Sequence, residues 1–70
     1  MNESIDIVVN GHTEKVPGLS TIFFLIQHFQ EHDTDLIVEY NGRFVYPGQY
    51  AGIVLKPGDR IEFINPNFGG

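Results

Sequence analysis

Near the start of the chain apolar and polar positions alternate with period two: Ile5, Ile7 and Val9 fall to one side, Asp6, Val8 and Asn10 to the other. That alternation predicts a strand with one face buried. Asn10-Gly11 follows and leads into residues 12–16. Asn-Gly suits the tight two-residue hairpin, in which both central residues need positive φ, so the first two strands are expected to be antiparallel. Val16-Pro17-Gly18-Leu19 then predicts a type II turn, with Pro fixing φ at the second place and Gly accepting positive φ at the third.

The period changes next. Ile22, Leu25, Ile26 and Phe29 stand at i, i+3, i+4 and i+7 and form one stripe of a helix. Ser20 or Thr21 can cap it, because either hydroxyl can accept a bond from a free N–H of the first turn, and the helix is expected to run to about His32. Phe24 departs from the pattern, close to the side opposite the stripe. Either it is an exposed contact or self-association patch, or the helix packs more widely than a single stripe.

Period two then returns. Leu36, Val38 and Tyr40 alternate with Ile37 and Glu39, and Asn41-Gly42 turns the chain into Arg43-Phe44-Val45-Tyr46. An irregular stretch follows Pro47-Gly48, Pro57-Gly58 makes another turn, and Arg60-Ile61-Glu62-Phe63-Ile64 reads as a last strand. The order is strand, strand, helix, strand, strand, strand. This predicts an α+β domain of β-grasp (ubiquitin-like) type, a small mixed sheet of four to five strands with one main helix across one face and the last strand parallel to the first. Residues 1–64 are expected to form the domain and residues 65–70 a flexible C-terminal tail ending in Gly-Gly. The uncovered face leaves Val8, Ile37 and Ile64 as a candidate docking surface, with Phe24 a further candidate contact.

Composition narrows the chemistry. Seventy residues make one domain with one thin core, and 41% hydrophobic content with six Phe and three Tyr is enough to fill it. The absence of cysteine removes a disulfide framework, a thiolate nucleophile and a Cys-based zinc site. Four basic residues against nine acidic ones give a charge of −5. Phosphate backbones are repelled by that balance, so no nucleic-acid partner is expected. Met1-Asn2-Glu3-Ser4 lacks the positive charge of a secretory signal, and the longest apolar run, residues 22–26, is too short to span a bilayer. No membrane partner is expected, and the chain reads as cytoplasmic.

Catalytic side chains do not assemble into a recognisable set. His28 and His32 at i, i+4 read as solvated residues of a polar flank, His12 has no evident partner, and Asp59 after Pro57-Gly58 reads as a turn carboxylate serving backbone N–H groups. Neither a bound metal nor a bound cofactor is expected. The other notable feature is Gly69-Gly70. Alone it reads as a frayed end; after a complete β-grasp pattern it reads as a slim arm, because residues without Cβ atoms can enter a narrow channel. Residues 65–70 reach on the order of 20 Å when extended, with Pro66 stiffening the base.

Several segments carry a family resemblance: Ile7-Val8-Val9-Asn10-Gly11, Ser20-Thr21-Ile22 through Leu25-Ile26, Val38-Glu39-Tyr40-Asn41-Gly42 with Val45, Leu55-Lys56-Pro57-Gly58-Asp59-Arg60-Ile61-Glu62, and Gly69-Gly70. In order and spacing they resemble the sulfur carrier proteins of thiamine biosynthesis and, more distantly, the small subunit of molybdopterin synthase. The resemblance implies a protein co-substrate, not an enzyme. Its Gly70 carboxylate is adenylated by a ubiquitin-activating-like enzyme that uses ATP, then converted to a thiocarboxylate with sulfur from a donor such as a cysteine desulfurase. Thiazole synthase is the implied recipient. Asn67, Phe68 and Gly69, with Pro66, enter the partner's active site in this scheme. Family tails often carry a small or β-branched residue before the glycines, and Phe68 departs from that, as a channel-mouth anchor or a residue folded back on the domain. Other readings of the same chain are the small subunit of molybdopterin synthase, with a pterin precursor as recipient, another ubiquitin-like sulfur carrier, ubiquitin-like protein modification through an isopeptide bond, and a β-grasp binding module with no C-terminal chemistry.

Overall fold

The computed structural model describes residues 3–66. Strands β1 (Ser4–Val9) and β2 (His12–Pro17) form the first hairpin, helix α1 (Ile22–His28) follows, and β3 (Ile37–Tyr40) and β4 (Arg43–Val45) form the second. A 3-10 helix (Pro47–Gly52) leads back to the last strand, β5 (Arg60–Ile64). The sheet order is β2-β1-β5-β3-β4, with β1 and β5 parallel and the other neighbours antiparallel. This is the expected β-grasp arrangement, with the last strand at the centre.

Both hairpins turn on Asn-Gly pairs with positive φ at each residue, 50° and 83° at Asn10-Gly11 and 50° and 84° at Asn41-Gly42. These signs match a type I′ turn, whose twist suits the flanking strands. Each asparagine also grips the central strand: Asn10 Oδ1 accepts from the Phe63 N–H and Asn41 Oδ1 from the Arg60 N–H, both at 2.8 Å. The two turns thus extend the hydrogen-bonding of β5 beyond its strand partners.

The helix begins where the sequence places it and ends earlier. Thr21, not Ser20, caps it, its hydroxyl accepting from the Phe24 N–H at 3.1 Å. Ser20 is buried and donates its hydroxyl to the Pro17 carbonyl instead. The helix stops at His28, four residues short of the expected His32. Gln30 adopts φ +57°, its N–H bonds the Gln27 carbonyl, and the Glu31 N–H bonds the Ile26 carbonyl. That pair of bonds is a Schellman ending, in which the left-handed position usually holds glycine. Gln30→Gly relieves the Cβ clash, partly offset by glycine's greater freedom when unfolded, and is expected to stabilise the domain by about 0.5–1 kcal/mol. A melting temperature raised by roughly 5 °C in calorimetry checks it.

The turn after β2 also differs from expectation. Gly18 does not take positive φ; Leu19 does, at 69°, and the Ser20 N–H bonds the Pro17 carbonyl. The turn therefore lies one residue later. Gly18 is needed for another reason, since a Cβ there would come within 2.5 Å of the Glu3 carbonyl oxygen, which also accepts the Gly18 N–H.

The core lies between the helix and one face of the sheet. Ile22 and Leu25 are fully buried against Ile7, Val9, Val16, Val38, Val45, Leu55, Ile61 and Phe63, and Ile26 and Phe29 pack at its margin. The stripe read from the sequence is the one that packs. The stretch between the 3-10 helix and β5 closes this layer: Val54 bridges Thr21, and the Leu55 N–H bonds the Ser20 carbonyl at 2.8 Å.

Candidate functional site

Strand β5 carries the chain from the centre of the sheet to its last residues, so the site is built from its two ends. At its start Asp59 is buried, 6% exposed, and fully engaged. Its carboxylate accepts from the Lys56 N–H at 2.8 Å, the Tyr40 hydroxyl at 2.8 Å and the Asn41 side-chain amide at 3.1 Å. Burial pushes the carboxyl up, but those bonds and the Lys56 charge outweigh it and hold Asp59 below its ordinary value. Tyr40 is pushed above its ordinary value, first by burial and then by its bond to the Asp59 carboxylate. Asp59 is thus the turn residue expected from Pro57-Gly58, and Gly58 supplies the positive φ, 86°.

At its far end β5 passes into Asn65 and Pro66. Asn65 Nδ2 donates to Glu31 Oε1 at 3.4 Å, which ties the exit of the sheet to the segment just past the helix. Pro66 is exposed. Asn67, Phe68, Gly69 and Gly70 lie outside the described residues.

The four candidate docking residues are not one patch. Ile37 and Ile64 are direct register partners on β3 and β5, on the face turned away from the helix and beside the exit of the chain. Val8 shares that face but pairs with Arg60, four residues back along β5 and so about 13 Å away. Phe24 sits on the other layer, on the helix, 36% exposed and stacked on His28 with ring centroids 5.3 Å apart.

The open face holds residues that sequence reasoning did not single out. Phe44 pairs with Glu39 across β3 and β4, and its ring meets that of Tyr46 edge-on at 4.7 Å. Both rings are largely exposed, 52% and 65%. Continued by one residue, the same register sets Tyr46 beside Ile37, so Tyr46, Ile37 and Ile64 make one row across the sheet. The signal available was the alternation Arg43-Phe44-Val45-Tyr46, which marks Phe44 and Tyr46 as the face opposite Val45. Their neighbours across the sheet are set by pairings that the alternation alone does not specify.

Among the described residues no group of three or more His, Cys, Asp or Glu is placed to hold a metal, and no concave pocket is present. No helix among them is long and apolar enough to cross a membrane.

The model of the ThiS family matches residues 3–70, nearly the whole chain and through Gly69-Gly70. The chain belongs to the ThiS family. Among solved structures it is similar to the thiamine biosynthesis protein ThiS from Geobacter metallireducens, with a TM-score of 0.79 and 25% identity over 94% of this chain and 100% of that one. No curated protein sequence matches it. The ThiS-like β-grasp places its central strand so that the open face and the exit of the chain adjoin.

Proposed function

We propose that this chain is a sulfur carrier in thiamine biosynthesis, a protein co-substrate that presents the Gly70 carboxylate to partner enzymes. The observation that carries the reading is the ThiS-family match over residues 3–70, which takes in Gly69-Gly70. An α-carboxylate titrates near roughly 3.5 and is a resonance-stabilised anion at neutral pH, so it is a poor electrophile until activated. An adenylating partner supplies the activation: a Gly70 carboxylate oxygen attacks the α-phosphorus of ATP and pyrophosphate leaves. Hydrosulfide-level sulfur then attacks the Gly70 carbonyl carbon, AMP departs, a proton is released, and a thiocarboxylate remains. Thiazole synthase is the proposed recipient.

The fold's part in this is presentation. Rigid pairing on both sides of β5 fixes where the arm starts, and residues lacking Cβ atoms at its tip fit a narrow active site. Threading the arm costs entropy, so contacts on the domain must offset it, and the Ile37–Ile64 row beside the exit is suited to that. Incubation with the adenylating enzyme of the same organism, ATP and a sulfur source is expected to raise the intact mass by the oxygen-to-sulfur difference. An unchanged mass, or conjugates to lysine in its place, contradicts the sulfur-carrier reading.

A further inference from the structure

The open face also carries a charge arrangement that the carrier reading leaves unused. Glu39 on β3 and Glu62 on β5 are direct register partners, so their Cβ atoms stand about 5 Å apart. Like charges in that position repel and destabilise a sheet. Among the described residues neither forms an ion pair. The ion pair among the described residues is Lys15–Asp6 at 2.9 Å, on the β1–β2 hairpin. Arg60 lies on the same face one row further back, beside Val8, and Arg43 pairs with Tyr40 on the opposite side of the sheet.

Apolar surface flanks the two carboxylates. Phe44 is the register partner of Glu39, and the row of Tyr46, Ile37 and Ile64 lies next to it toward the exit of the chain. We infer that this face docks the adenylating partner through an arginine of that partner laid between Glu39 and Glu62. The inference rests on the carrier reading and adds the chemistry of the contact. A guanidinium can bond two carboxylates in one plane, and its flat face can rest on the Phe44 ring, which favours arginine over lysine. Its aliphatic stem covers the Ile37–Ile64 row. Position agrees with charge: Gly70 lies eight residues beyond Glu62, so an extended arm reaches about 26 Å from the docked pair into the partner. The repulsion that the free domain tolerates is then relieved only in the complex.

The test uses the full chain as varied substrate of its adenylating enzyme, following pyrophosphate release at low and high salt. Glu39→Gln, Glu62→Gln and the double substitution are compared with Glu14→Gln, which removes one charge from β2 on the helix-facing side of the sheet. The double substitution is expected to raise KM for the chain roughly tenfold with kcat unchanged. Wild-type KM should climb with salt while that of the double variant stays flat. Glu14→Gln should follow the wild type. The melting temperature of the double variant should be equal or higher because a repulsion is gone, which separates weaker docking from unfolding. A KM unchanged in the double variant, or raised as much by Glu14→Gln, overturns the arginine contact. No turnover of the unsubstituted chain overturns the carrier reading itself, and this inference with it.

Discussion

Removal of Gly70 is expected to abolish ATP-dependent activation and leave the melting temperature unchanged. The shortened chain still ends in a glycine carboxylate, so the effect is one of position, not chemistry. With the domain docked and β5 fixed, the new carboxylate falls about 3.3 Å short of the α-phosphorus it must attack. A misplacement of about 1 Å can already cost a factor near 100 in rate, so a whole residue takes activity below detection. Stability is untouched because, among the described residues, the core runs from Ile5 to Phe63 and the pairing of β5 ends at Ile64, six residues before Gly70. Chain-dependent exchange of labelled pyrophosphate into ATP reads the first half of the prediction and calorimetry the second. Exchange at the wild-type rate, or a large fall in melting temperature, contradicts it.

Asp59→Ala is expected to damage the fold severely, costing roughly 3 kcal/mol. It strips a shared acceptor from the Lys56 N–H, the Tyr40 hydroxyl and the Asn41 amide at one stroke. Against a total of about 5 kcal/mol for a domain of this size, that leaves little. Tyr40→Phe loses one bond to a charged acceptor and should cost about 1.5 kcal/mol. The pH dependence has two limbs. Asp59 is held below its ordinary value of 3.8, so its contribution is whole above that pH and fades as pH falls through the lower folded value. Tyr40 is held above its ordinary value of 10.0, so its contribution is whole below pH 10.0 and fades as pH rises through the higher folded value. Urea unfolding across pH should show both limbs in the wild type. Tyr40→Phe should lose the part of the alkaline limb that Tyr40 supplies.

The parts of this molecule that local sequence determines could be read in advance. Asn10-Gly11 and Asn41-Gly42 specify hairpins because few other residue pairs take two positive φ angles, and Ile22, Leu25, Ile26 and Phe29 specify a helix face by spacing alone. Legibility fails where a residue answers to something distant. Gly18 was expected to serve turn geometry, but its missing side chain makes room for the Glu3 backbone, and Leu19 takes the positive φ. The helix ends at a Schellman motif without glycine, since Gln30 accepts the strain, and no residue type announces that. At the site, alternation places Ile37 and Ile64 on the open face. It does not specify that they are partners, that Val8 lies further back, or that Glu39 meets Glu62. Those facts depend on the antiparallel pairing of β3 with β5, strands separated by the second hairpin turn, β4 and the 3-10 segment. Phe24 could be read either way from the helix wheel, and the structure places it on the layer opposite the open face.

In the proposed carrier, the acyl group of Gly70 is the part of the chain that changes. Fragment mass spectrometry of the chain after loading with its adenylating enzyme, ATP and sulfur source tests it most directly. The added sulfur is expected in every fragment containing Gly70 and in none lacking it. Sulfur found on any other residue, or a loaded chain whose fragments containing Gly70 keep their unmodified mass, would contradict it.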